Sequence, residues 1–422
     1  MSLLRRTALT AALVVTLGTV PAISPSPSPT LTPAAAALPT AAIAVGDSFI
    51  SGEGAGSYAP VTDVSGVSRS FPGWTAPNSN AFFCHRSNNA SIHKANLPGI
   101  TARFNLACSG AQPPDIANPS SNRAKGRQVA SQISQVQQVA QTHDIDVVLV
   151  GLGSNNSSFT FGDVALTCAT RFIADAWTGW WEFWAYLNGP VPQQPCSNDD
   201  LATTAQFDAA STETVAALRQ LLTTLRAVDA DGQHRIVLQD YTNPLPFDLA
   251  ANFHDEENRT DTRDKFRALG SERYAAGCPV HRASLAPGHV FSTRLGAMVQ
   301  STFTTLRAEF PNADLVYLNV QQALNGGRLC EQANSPAGTL ATPIRLMDGP
   351  TGVHLTSLSG YDKIDIQRIA NSCVTYYQTC QESWHPNAAG HSVLGQCLSG
   401  AVATSQRSVS CVRASNGTVT VS

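Results

Sequence analysis

Four short apolar runs constrain this chain more than any other feature. Ala41 to Val45 (AAIAV) ends at Gly46, and Asp146 to Val150 (DVVLV) ends at Gly151-Leu152-Gly153. Arg235 to Leu238 (RIVL) and Leu315 to Leu318 (LVYL) repeat the pattern. Runs this short and this apolar suit strands buried on both faces. Helical stretches lie between them, at Gly126 to Gln141 and Thr212 to Val228. Strands alternating with helices predict a three-layer α/β/α fold around a mostly parallel, flavodoxin-like sheet, with chemistry at the carboxyl ends of the strands. The 422 residues are 43% hydrophobic and 14% charged, enough apolar material for a large core. No internal repeat is visible, so one domain with loop insertions is expected. The net charge of -3 includes no basic block, which argues against nucleic acid as a partner.

The first forty residues point to a compartment. Arg5 and Arg6 precede an apolar run, Ala8 to Val20, that is short for a membrane span. A Pro/Ser/Thr-rich stretch, Pro21 to Pro33, and the small residues Ala34 to Ala37 follow. Residues 1 to about 37 read as an export signal and linker, with cleavage after Ala22 an alternative, and 38–422 as the catalytic domain. A single membrane anchor is the competing reading of the same run. A secreted, extracellular chain without a stable membrane span is expected, and in that setting its ten cysteines should pair. Spacing alone leaves their connectivity open.

Two motifs at opposite ends of the domain carry nucleophile chemistry. Gly46-Asp47-Ser48-Phe49-Ile50-Ser51-Gly52-Glu53-Gly54 sets a serine on a strand-to-helix turn, where an exposed Oγ and free backbone N–H groups coincide. It is not a G-x-S-x-G elbow, since position 50 is Ile, and it lacks the Lys of a phosphate loop. Read alone, it is also an ordinary tight turn. Glu382-Ser383-Trp384-His385-Pro386-Asn387 sets a histidine three residues after a carboxylate, the spacing that can orient a general base. Pro386 and Asn387 predict a helix start. Gly110, in Leu106-Ala107-Cys108-Ser109-Gly110-Ala111, can turn an N–H toward a site, and Asn155, after the DVVLV strand, can offer its amide.

In this order, Ser48, Gly110, Asn155 and His385 resemble the four blocks of the SGNH (GDSL) hydrolase family, and the chain is most similar to its secreted actinobacterial esterases and lipases. The resemblance spans the whole of 38–422. It implies Ser48 as nucleophile, His385 as base, Glu382 as third acid, and an oxyanion hole of Ser48 N–H, Gly110 N–H and the Asn155 side chain. Phe159 takes the place of the aromatic after the third block. This chain departs from the family in having Glu382 where Asp is usual, so the Ser383 carbonyl competes for the role of orienting His385. Asn156 stands where the family has Asp, and Gly153-Ser154 replaces a double glycine.

The resemblance also implies a disulfide from Cys84 to Cys108, and bridges in sequence order thereafter: Cys168–Cys196, Cys278–Cys330, Cys373–Cys380 and Cys397–Cys411. No metal or other cofactor is implied, and no C-x-x-C or H-E-x-x-H is present. Within the second loop, Trp177, Trp180, Trp181 and Trp184 fall on one helical face. They read equally as a packed core face or as a wall for an acyl chain. The expected activity is hydrolysis of carboxylic esters, an acyl lipid or similar, by a monomer. A carbohydrate deacetylase, or a non-catalytic domain that stacks the tryptophans on sugar, are the alternatives.

Overall fold

Strand β1 (Thr40–Gly46) is apolar from Ala41 to Val45 and buried along that whole length. A strand with no polar face needs cover on both sides, and the sheet and helices supply it. The computed structural model describes residues 37–57, 84–119, 129–161, 195–228, 234–249, 280–331, 384–414 and 416–422, with positions 164, 168, 171 and 278. Among them β2 (Ala102–Asn105), β3 (Asp144–Gly151), β4 (Arg235–Gln239), β5 (Asp314–Gln322), β6 (Ser408–Arg413) and β7 (Val419–Val421) join β1 in one sheet. The order is β2-β1-β3-β4-β5-β6-β7, parallel throughout except for β7 against β6.

Three longer helices cover this sheet: α4 (Thr204–Val228), α5 (Arg282–Glu309) and α6 (Ala388–Ala403). Shorter ones are α1 (Ser48–Ser51), α2 (Ser91–Lys94) and α3 (Gln132–Ala140). Val150, Ile236, Leu238 and Leu315 of the sheet line one small apolar cavity together with Leu218, Leu221 and Leu222 of α4 and Leu306 of α5. Arg235 alternates with Ile236 and so points the other way, where its guanidinium donates to Ala401 O of α6. α4 and α5 therefore lie on one face and α6 on the other, which is the three-layer α/β/α arrangement. Burying each of these aliphatic side chains contributes about 1.5–3 kcal/mol.

All four expected strands form, each longer than its apolar run. The helix expected over Gly126 to Gln141 starts only at Gln132, because the Ser131 side chain accepts the Ser134 N–H at 3.2 Å and caps it there. The helix expected from Thr212 starts earlier, at Thr204. Asn387 begins α6 as its N-cap, accepting the N–H groups of Ala389 and Gly390 at 3.0 Å each.

Cys84–Cys108, Cys168–Cys196, Cys278–Cys330 and Cys397–Cys411 are disulfides, closing separations of 24, 28, 52 and 14 residues. Loops of these sizes contribute about 3–4 kcal/mol each in the chain-entropy picture. Cys373 and Cys380, the tryptophans 177, 180, 181 and 184, and Glu382 with Ser383 lie outside the described residues. Among the described residues no helix is long and apolar enough to cross a membrane.

β1 and β3 approach each other very closely at their carboxyl ends. Gly46 has φ +144°, and a Cβ there would lie 1.9 Å from Gly151 O, a backbone atom that has nowhere to go. Gly46→Ala should therefore lose at least about 3 kcal/mol of stability, more than ordinary overpacking, and a near-native urea midpoint would contradict this close approach.

Candidate functional site

β1 ends at Gly46 and the chain turns at once into α1. Asp47 caps that turn, its Oδ1 accepting Phe49 N–H at 3.2 Å, and Gly52 closes it in the left-handed region with φ +91°. Ser48 is thus lifted off the carboxyl end of the strand, between its two sheet neighbours. On one side β2 leads into the Cys108-Ser109-Gly110 turn, held to β1 by Cys108 N–H donating to Gly46 O at 3.0 Å. On the other side β3 leads into Gly153-Ser154-Asn155, with Gly46 opposite Gly151 in the register.

His385 arrives from the far end of the sequence. Its Nε2 shares a hydrogen bond of 2.8 Å with Ser48 Oγ, across 337 residues of chain, and both side chains are largely buried. Pro386 and the Asn387 cap of α6 fix the segment just after it. The residue before it, Trp384, is buried with φ +71°, a conformation a bulky residue holds only where its surroundings impose it. The ring of Phe49 lies 4.8 Å from that of His385.

The loops that flank Ser48 are joined to each other. Gln112, just past Gly110, donates from Nε2 to Asn156 O at 2.9 Å. Asn156, where the sequence resemblance leads one to expect Asp, builds the turn: its Oδ1 accepts the N–H groups of Ser158 and Phe159 at 2.8 and 3.0 Å. An amide oxygen does this as well as a carboxylate, so the departure is accounted for locally. Asn155 itself is buried and bridges to Thr160. Gly110 has φ +75°, which its residue type permits without strain.

The structure thus brings Ser48 and His385 into contact and gathers Gly110 and Asn155 on the strand ends either side of them. It also contains ionisable groups that motif reading passed over. Tyr241, just beyond β4, donates from its hydroxyl to Asp47 Oδ2 at 2.5 Å, and Ser154 Oγ donates to the same oxygen at 2.8 Å. Burial pushes the Asp47 carboxyl up to about 6, against the pull of those hydrogen bonds. Glu53 and His85 form a buried pair, Nδ1 to Oε1 at 2.6 Å. Burial alone would raise the Glu53 carboxyl, but the facing His85, the charge of His385 and a hydrogen bond from Ser109 together hold Glu53 below its ordinary value. His391, one turn into α6, is wholly buried, and desolvation followed by the charge of His385 lowers it to about 3. The sequence offers only a positional hint for some of them, polar residues directly after apolar strands, as in Gln239-Asp240-Tyr241, and none of their partners. Among the described residues no group of three or more His, Cys, Asp or Glu side chains is arranged to hold a metal.

No protein-family model matches the sequence, and neither does any curated protein. Solved structures do resemble it in three dimensions, at low identity. An extracellular lipase from Streptomyces rimosus shows 17% identity and a TM-score of 0.43, covering 86% of this chain and 99% of its own. Phospholipase A1 from Streptomyces albidoflavus shows 16% identity and a TM-score of 0.41, covering 83% and 94%. A family two carbohydrate esterase from Clostridium thermocellum shows 10% and 0.33, covering 86% and 63%.

The state of His391 has a measurable consequence. Its folded-state pKa of about 3 lies below the ordinary 6.5, so between those values the unfolded chain binds a proton that the fold refuses. This contribution is fully present above pH 6.5 and is lost as pH falls. Asp47 and Asp240, raised by burial to about 6 and about 7, act in the opposite sense. They do so in native protein and variant alike. The difference between native protein and His391→Gln should therefore grow by about 1.4 kcal/mol per pH unit between pH 6 and 4, in favour of the variant on acidification. Parallel stability profiles from urea unfolding at pH 4, 5 and 6 would rule out a buried neutral histidine.

Proposed function

We propose that the chain is a secreted serine hydrolase of carboxylic esters. The observation that carries this reading is the 2.8 Å hydrogen bond between Ser48 Oγ and His385 Nε2 at the carboxyl end of a parallel sheet. A serine hydroxyl is a poor nucleophile unless a base takes its proton during attack, and a neutral imidazole at this distance is that base. Ser48 Oγ attacks the ester carbonyl as its proton passes to Nε2. The same proton then leaves with the alcohol, and water releases the acyl group by the reverse route. The charge that develops on the carbonyl oxygen is met by the N–H groups of Ser48 and Gly110 and by the Asn155 amide. Glu382, or the Ser383 carbonyl beside it, holds His385 in the Nδ1–H tautomer.

An aromatic row runs from Phe49, beside the base, into the core. Phe49 stacks edge-on with Phe161, and Phe161 continues to Phe291 and Phe207. All four rings are buried and back the base rather than face a substrate, so the choice between an acyl ester and an acetylated sugar falls to the ester panel below. Export is supported by the four disulfides, which persist in oxidising surroundings.

Nitrophenyl esters from acetate to palmitate, with a phospholipid and an acetylated xylan beside them, test the reading. Ser48→Ala and His385→Ala should each remove nearly all turnover, because the two act as one unit. Asn155→Ala should lower kcat by about 10²- to 10³-fold. Glu382→Gln should cost up to about 10⁴-fold where the carboxylate holds the tautomer, and little where the Ser383 carbonyl does. A folded Ser48→Ala variant with near-native turnover overturns the mechanism.

A further inference from the structure

We propose that Tyr241 is a positioning residue for the oxyanion hole, clamping the loop that bears Asn155 to the strand end that bears Ser48. The proposal rests on the ester-hydrolase reading above and assigns a role to a residue outside every motif of the sequence.

The clamp is a triangle of three buried side chains from three strands. The Tyr241 hydroxyl donates to Asp47 Oδ2 at 2.5 Å and accepts the backbone N–H of Ser154 at 3.0 Å. Ser154 Oγ closes the triangle by donating to the same Asp47 oxygen at 2.8 Å. Asp47 immediately precedes Ser48, and Ser154 immediately precedes Asn155. β3 lies between β1 and β4 in the sheet, so Tyr241 reaches over one strand to connect the other two.

Each member has little freedom. The second Asp47 oxygen is taken by Phe49 N–H. The Tyr241 ring meets the Phe49 ring edge-on at 5.1 Å, and its backbone carbonyl accepts from Gln321 Nε2 at 2.9 Å. Tyr241 is 1% exposed, so water cannot replace its hydroxyl. The phenol takes the Ser154 N–H on its oxygen and gives its own proton to Asp47 Oδ2, which also accepts from Ser154 Oγ. The triangle therefore requires the carboxylate, and with a carboxyl pKa of about 6 Asp47 supplies it at neutral pH.

Removing the Tyr241 hydroxyl strands one donor and deprives one acceptor, in buried surroundings where both losses matter. A hydrogen bond of this kind elsewhere in the core would affect only stability. Here it couples the two residues that adjoin the nucleophile and the amide donor, and a misplacement of about 1 Å between such groups can cost about 10²-fold in rate.

The test is a double-mutant cycle on a nitrophenyl ester with Tyr241→Phe, Asn155→Ala and the pair. Tyr241→Phe should lower kcat by about 10- to 100-fold, with KM close to native. Asn155→Ala should then cost far less in the Tyr241→Phe background than in the native one, because the donor is already displaced. An unchanged kcat, or fully additive effects, overturns the clamp. Should Tyr241→Phe fail to fold, Ser154→Ala removes one side of the same triangle and is read through the same cycle. Ser48→Ala, measured alongside, separates the two failures. If it retains turnover, the hydrolase reading falls and the clamp with it. If it is dead while the cycle is additive, only the clamp falls.

Discussion

Everything that positions the site depends on how closely β1 can approach its neighbours at its carboxyl end. Gly46 leaves no space for a side chain over the Gly151 carbonyl, and Asp47 N–H donates to that carbonyl at 3.1 Å. Gln132 at the start of α3 then grips the same peptide from the side, its Oε1 accepting Gly46 N–H at 2.7 Å and its Nε2 donating to Gly46 O at 2.8 Å. A strand end normally frays, because its last backbone groups have lost their sheet partners. Here they are satisfied before the chain leaves the sheet, so the turn that carries Ser48 starts from a fixed point.

From that point the positioning spreads outward through polar groups rather than through apolar packing. Arg86 shows how. Buried next to the Cys84 bridge, it donates to the carbonyls of Leu106 and Ala107 at 2.8 Å each and to Gln135 Oε1 at 2.9 Å. One side chain thus joins the loop after Ser48 to the loop that carries Gly110 and to α3. The Cys84–Cys108 disulfide spans the first two of these covalently. Apolar contacts would hold the same segments together but would tolerate small slides. Directional bonds to backbone carbonyls do not, and the proposed action of Ser48, His385 and Asn155 needs them to agree to within a fraction of an ångström.

The parts of this arrangement legible in the sequence are those with a strong local period or a compact motif. AAIAV and DVVLV have no polar face, so they had to be central strands, and the serine and asparagine just after them had to lie at one sheet end. The edge strand β2, Ala-Arg-Phe-Asn, carries polar residues and only half-buried positions, so nothing in its pattern separates it from a loop. α5 was hidden by Pro287-Gly288, two residues that ordinarily end helices. It persists because Phe291, Leu295, Met298, Val299, Phe303 and Leu306 further along are buried, and packing overrides propensity. Tyr241 and Asp47 were illegible for a different reason. Their meaning lies in a contact between residues 194 positions apart, which no window on the chain contains.

The same distinction explains why so many ionisable groups are buried at one end of this sheet. Asp47 and Asp240 lie directly at strand ends, where parallel strands run out of backbone partners, and the Glu53–His85 pair lies in the loops beyond them. A carboxylate there can accept several N–H and O–H groups at once, as Asp240 does from Val320 N–H at 2.6 Å and the Tyr317 hydroxyl at 2.8 Å. Its desolvation is unfavourable, which is why burial raises Asp240 to about 7. A hydrophobic residue of similar size would be more stable but could not dictate the directions of its neighbours. Asp240 fixes Val320 near the end of β5, and its neighbour Tyr241 meets Asp47, so the chain of fixed directions runs from β5 across the sheet to the residue before Ser48.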